Sequence, residues 1–84
     1  MFLRVTAVNC LEAYKLSVAF NDGVVKEVDL QNELYGEVFE PLKDPAYFRQ
    51  VAVNPETNTI EWPNGADYAP EYLYRLGAAM RRVA

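Results

Sequence analysis

From Leu3 to Leu11 the chain alternates, with Leu3, Val5, Ala7, Asn9 and Leu11 on one side and Arg4 and Thr6 on the other. A period of two marks a half-buried strand and predicts the odd positions inward. Tyr14, Leu16, Val18 and Phe20 repeat the pattern, with Lys15 and Ser17 outward. Asn21-Asp22-Gly23 then reads as a hairpin turn, in which Gly23 takes the positive φ that a β-carbon penalises. Val24, Val28 and Leu30 return inward while Glu27 and Asp29 face out. Lys26 interrupts that inner face, which puts it near an edge or makes it snorkel. Three antiparallel strands follow from this half.

The character changes after Asp29. Leu30 to Tyr35 suits one or two helical turns stopped by Gly36, and Pro41 rules out a long helix here. Asp44-Pro45 reads as an N-cap with proline at the first helical position, opening a short helix with Phe48 inward. Val51 and Val53 predict a fourth strand, Pro55 to Asn58 a turn, and Thr59 to Trp62 a fifth strand ended by Pro63-Asn64-Gly65. Pro70 starts the last helix. Projected at about 100° per residue, Leu73, Leu76, Met80 and Val83 share a face with Tyr72 and Gly77. Gly77 there lets the helix approach the sheet. Tyr74 falls opposite, with Glu71, Arg75, Ala78 and Arg82. The expected fold is α+β: a small antiparallel sheet of about five strands, a short middle helix and a C-terminal helix packed on it.

Composition narrows the function. Eighty-four residues predict a single domain over 1–84. One cysteine, Cys10, allows no intrachain disulfide, and neither an export signal nor a membrane-length apolar run is present. A cytoplasmic location is expected. Twelve acids against eight bases give a net charge of −4. Nucleic-acid affinity rests on phosphate neutralisation, so no direct nucleic-acid binding is expected, nor a membrane partner. The bases cluster only at Arg75, Arg81 and Arg82, where they complement a helix C-terminus.

Chemistry is mostly excluded. The chain has no histidine, which removes the commonest general base, the commonest metal ligand and every Ser-His or Cys-His pair. Cys10 has no cation beside it in sequence and reads as a structural thiol. The carboxylates from Glu27 to Asp44 lack the short oxygen spacing of a hard-cation loop, and the four glycines are too dispersed for a phosphate loop. No cofactor and no catalytic residue are expected. The informative segment is Trp62-Pro63-Asn64-Gly65-Ala66-Asp67-Tyr68. Read structurally, Trp62 fills the core, Asn64-Gly65 makes a turn with positive φ, and Asp67 caps the last helix. Read functionally, a rigid loop presents Trp62, Asn64, Asp67 and Tyr68 to a ligand or partner. Six tyrosines, four phenylalanines and one tryptophan are many for this length, and Tyr74 is the clearest aromatic misfit.

Much of the chain resembles a known family. The residues that carry the likeness are Pro41-Leu42-Lys43-Asp44-Pro45-Ala46-Tyr47-Phe48, Val51-Ala52-Val53, Thr59-Ile60-Glu61-Trp62-Pro63-Asn64-Gly65-Ala66-Asp67 and Pro70-Glu71-Tyr72-Leu73-Tyr74. Together with Phe20-Asn21-Asp22-Gly23 and Val28-Asp29-Leu30 they are similar to the domain of unknown function 2442 family of small bacterial proteins. Tyr68 stands where that family suggests an aliphatic residue. The resemblance implies the same α+β fold and no enzyme activity, cofactor or catalytic residue. It also implies that some relatives carry a downstream helix-turn-helix domain, for which ten residues after Tyr74 leave no room, and that others pair with a neighbouring small protein. Two readings stand. One is a protein-interaction module that binds a protein partner or itself, with an antitoxin-like member of a two-gene pair as its narrower form. Tyr74, Arg75 and Arg82 would be among its contacts. The other is a small-ligand binder or enzyme using the Trp62–Asp67 loop.

Overall fold

The computed structural model describes residues 2–79, so Met80, Arg81, Arg82 and Val83 lie outside the described residues. Along the chain come β1 (Val5–Cys10), β2 (Lys15–Phe20), β3 (Val25–Asp29), a 3-10 helix (Glu37–Lys43), α1 (Pro45–Phe48), β4 (Ala52–Asn54), β5 (Thr59–Glu61), α2 (Pro70–Leu76) and β6 (Ala78–Ala79). The class is α+β with antiparallel strands, as the alternation predicts. The strands divide between two sheets, one ordered β1-β2-β3-β6 and the other β4-β5. The small hairpin docks on β1, where the Val5 N–H donates to the Asn58 carbonyl at 2.9 Å.

Strand β1 departs from its sequence pattern. Val5 pairs with Phe20 but Ala7 pairs with Ala19, so the register shifts around Thr6. One extra residue inverts the side-chain phase of everything after it. Val5 is buried, and beyond the shift Val8 and Cys10 pack on the core while Ala7 and Asn9 are exposed. Strand β2 keeps its phase, with Leu16, Val18 and Phe20 buried. In β3, Lys26 opposes Val18 and snorkels: its Nζ donates to the Tyr74 carbonyl at 2.6 Å.

The middle segment also differs from its pattern. Gly36, read as a helix stop, instead precedes the 3-10 helix, with φ 96° and ψ 156°. Pro41 sits inside that helix. Proline needs no partner for a missing N–H in so short a turn, so it shapes the helix and does not end it. Asp44 caps α1 as read, its Oδ1 accepting from the Ala46 N–H at 3.1 Å, with Pro45 at the first position.

Helix α2 stops at Leu76, short of the span that the periodicity predicts. Gly77 turns extended (φ −75°, ψ 154°), and the chain then pairs Ala78 with Glu27 and Ala79 with Lys26. A β-carbon on Gly77 would lie 2.9 Å from both Lys26 Cβ and Val28 Cγ2, so the close approach expected there is real. Among the described residues of the projected face only Leu73 is buried; Leu76 and Tyr72 are each 37% exposed. The projection assumed a helix through Val83. A helix of two turns buries a narrower stripe. Met80 and Val83 fall outside the described residues.

Candidate functional site

Trp62 follows β5 at the centre of the core. Its ring is 2% exposed and its Nε1–H donates to the Phe48 carbonyl at 2.9 Å, which satisfies both buried groups. Aromatic contacts spread outward from it. Phe48 lies 5.6 Å away and touches Tyr14 edge-on, while Tyr68 lies 6.1 Å away on the other side. Tyr68 stacks between Phe39 at 4.8 Å and Tyr72 at 5.7 Å. Most of the aromatic surplus is therefore internal, a use that composition does not reveal.

The turn after Trp62 is built from its own polar groups. Gly65 holds φ 89°, as its place in an Asn-Gly turn predicts. Asn64 Oδ1 accepts from the Ala66 N–H at 3.1 Å, and its Nδ2 donates to the Val38 carbonyl at 2.8 Å. The second bond ties the turn to the 3-10 helix. Asp67 is exposed, and its backbone bridges Glu61. The α2 N-cap is Ala69, with no side-chain capping bond, so Asp67 does not cap the helix. It sits two residues too early, because the bridge to Glu61 holds it in extended backbone. Thr59 is buried and donates its hydroxyl to the Tyr68 carbonyl.

Tyr68 and Tyr72 converge on Glu33. The Tyr68 hydroxyl donates to the Glu33 carbonyl at 2.9 Å, and the Tyr72 hydroxyl donates to the Glu33 carboxylate. Burial pushes the Tyr68 phenol well above its usual range, with smaller contributions from Tyr72, Glu33 and Tyr35. The Tyr72 phenol is raised mainly because it donates to Glu33. Tyr35, 70% exposed, makes no ring contact with Tyr68 or Tyr72 but lies near enough to raise both phenols slightly. Leu76, one turn after Tyr72 on α2, extends its face. Sequence reasoning missed Glu33, because its contacts span 35 and 39 positions and leave no local pattern.

Tyr74 is not the free surface ring that the helical projection suggests. It meets Phe20 edge-on at 4.8 Å, Lys26 Nζ lies 4.0 Å from its ring centroid, and its hydroxyl donates to Asp22 at 2.7 Å. Arg75 beside it is exposed, and Arg82 lies outside the described residues. Thus Trp62, Asn64 and Tyr68 are joined in one network, while Tyr74 bonds elsewhere, to the β2–β3 turn, and Arg75 acts on Tyr72.

Other candidate chemistry does not assemble. Cys10 is half-buried with Sγ 4.0 Å from the Phe48 carbonyl, and burial raises its thiol above the ordinary range, against nucleophilic use. A shallow open depression runs along β4 and β5 past Val53, Pro55, Trp62 and Pro63. Its polar pair is closed on itself, Asn54 Nδ2 donating to Glu61 at 2.8 Å. Among the described residues no three His, Cys, Asp or Glu side chains converge as a metal site, and no helix is long and apolar enough to cross a membrane.

The fold recurs in a solved structure. The chain is similar to the crystal structure of the "Putative DNA Binding Protein NE0471" from Nitrosomonas europaea ATCC 19718, with a TM-score of 0.79 and 27% identity. The similarity covers 90% of this chain and 49% of that one, so the chain spans about half the length of that protein. Among curated proteins nothing matches. The family described as "Protein of unknown function (DUF2442)" matches residues 5–79, which contain the Trp62 turn, the Glu33–Tyr72 cluster and both sheets. The chain belongs to that family.

Proposed function

We propose that this protein is a non-enzymatic protein-interaction module whose contact face is the Tyr35–Tyr72–Leu76 side of the fold. One observation carries the reading: Tyr35, Tyr72 and Leu76 remain 70%, 37% and 37% exposed beside a core that has absorbed the other large aromatics nearby. Exposed tyrosines bring large rigid area with a polar tip, which suits an interface. The alternative of a ligand or catalytic loop at Trp62–Asp67 has less support. Trp62, Asn64 and Tyr68 already bond to Phe48, Val38, Ala66 and Glu33, which leaves few polar groups to meet a substrate.

Direct DNA contact is disfavoured on charge. Lys26 bonds inside the fold, and Lys15 and Lys43 lie 4.0 and 3.2 Å from Glu27 and Glu40. The remaining described cations, Arg4, Arg49 and Arg75, come from three separate elements, before β1, just after α1 and in the last turn of α2, against a net charge of −4 for the whole chain. The DNA binding in the name of the Nitrosomonas protein belongs to a chain of which only 49% is covered by the similarity. An antitoxin-like pairing with a neighbouring gene product is the narrower form of the interaction reading.

The test is affinity capture from host lysate with wild type and a Tyr35→Ala/Leu76→Ala variant, both checked for folding by circular dichroism. A partner, or self-association in sedimentation, held by wild type and lost by the folded variant supports the reading. A wild-type chain that stays monomeric and retains nothing at micromolar concentration overturns it.

A further inference from the structure

The distribution of charge around the exposed aromatic cluster carries a statement about the partner. From Glu27 to Leu42 the chain holds Glu27, Asp29, Glu33, Glu37 and Glu40 and no lysine or arginine. From Gln50 to Tyr74 it holds Glu56, Glu61, Asp67 and Glu71 and again no base. The contacts of the cluster all lie within these two base-free stretches: Glu33 and Phe39 from the first, Tyr68 and Tyr72 from the second. The Tyr72 ring and the Glu33 carboxylate thus share one surface, with Arg75 the cation that acts on Tyr72 among the described residues.

We infer that this face docks an arginine-bearing basic segment of a partner protein, with a guanidinium on the exposed Tyr72 ring, near Tyr35, and its N–H groups directed at the Glu33 carboxylate. The inference rests on the interaction reading above and adds the chemistry of the partner. Tyr72 ends the Phe39–Tyr68–Tyr72 stack, and its hydroxyl holds the Glu33 carboxylate beside the ring. A planar cation there meets a ring quadrupole and a carboxylate together. Arginine suits this better than lysine, because its fork bonds a carboxylate while its plane stacks on an aromatic ring. A second copy of the same face is excluded as occupant by like charge, and so is a phosphate backbone.

The test titrates the 15N-labelled protein with a capped nine-residue peptide carrying three arginines separated by alanine pairs. Matched peptides carry lysine or glutamine in their place, and a short DNA duplex is a further probe. The expected result is amide shifts centred on Glu33, Tyr35 and Tyr72, with the arginine peptide binding about tenfold or more tightly than the glutamine peptide and weakening as salt rises. Glu33→Gln, which keeps the hydrogen bond from Tyr72 and removes the charge, weakens the arginine peptide about three- to tenfold, and Tyr35→Ala does so without unfolding the chain. Equal binding of the glutamine peptide, shifts elsewhere on the fold, no shifts at millimolar peptide, or DNA taking this face would each overturn the inference. If capture from lysate depends on Tyr35 and Leu76 while the arginine peptide does not bind, the interaction reading stands and the cationic partner falls.

Discussion

The Tyr74 hydroxyl donates to the Asp22 carboxylate at 2.7 Å across 52 positions, tying the β2–β3 turn to the last helix. The same ring lies edge-on to Phe20 and under the Lys26 ammonium. Tyr74→Ala is therefore expected to destabilise by about 1–3 kcal/mol, because it removes an aromatic pair and a cation–π contact together. Chemical denaturation measures this, and an unchanged midpoint would show that the helix docks without the ring.

The Asp22–Tyr74 bond also sets a pH dependence. The Tyr74 hydroxyl, followed by the Val24 N–H, holds the Asp22 carboxyl below its ordinary value of 3.8. A lowered folded-state value stabilises the fold above the ordinary carboxyl range, and this stability is lost as pH falls through the lowered value. The Tyr74 phenol is raised from 10.0, chiefly by the same bond, so its contribution is complete below pH 10 and is lost above it. Tyr74→Phe should flatten both limbs of stability against pH while leaving the ring contacts. Identical pH profiles for the two proteins would refute the coupling.

Two leucines one turn apart on α2 have unequal expected costs. Leu73 is fully buried, and Leu73→Ala should cost about 2–5 kcal/mol. Leu76 is 37% exposed, and Leu76→Ala should cost about 1 kcal/mol or less. Equal losses would mean that the helix is rotated about its axis.

Glycine is required at two positions for different reasons. At Gly65 there is open space but φ is 89°, so Gly65→Ala costs about 1 kcal/mol through backbone strain, and Gly65→Asn costs less. At Gly77 the backbone is ordinary, but a β-carbon meets Lys26 and Val28 at 2.9 Å. There alanine should cost about 1–3 kcal/mol by overpacking, and asparagine more. Thermal unfolding of the four variants distinguishes strain from crowding; asparagine rescuing position 77 would contradict the crowding.

Trp62, the one tryptophan, reports on the core. Its emission should be blue-shifted and shielded from iodide in the folded chain. Trp62→Phe leaves the Phe48 carbonyl without its indole donor and opens a void, for an expected loss of about 2–4 kcal/mol. Ready iodide quenching of the native protein would place the ring on the surface.

Local rules made much of this fold legible in the chain itself. The phase of β2, the Asn21–Gly23 turn, the Asp44-Pro45 cap and the Asn64-Gly65 turn depend on residues within a few positions of each other, and each is where the pattern puts it. Three features needed the folded chain. The shift at Thr6 reverses the inward side of β1, because pairing with β2 sets register and alternation alone cannot. The end of α2 comes where the chain turns extended to pair with β3, at a Gly77 whose β-carbon would collide with Lys26 and Val28, a closeness that exists only once β3 and the helix are side by side. The candidate contact face joins Glu33 to Tyr68 and Tyr72 across 35 and 39 positions, where no periodicity reaches. Turn chemistry and side-chain alternation are properties of neighbours in sequence. Register, helix length and the meeting of distant side chains are properties of packing, and these decided which aromatics stayed on the surface.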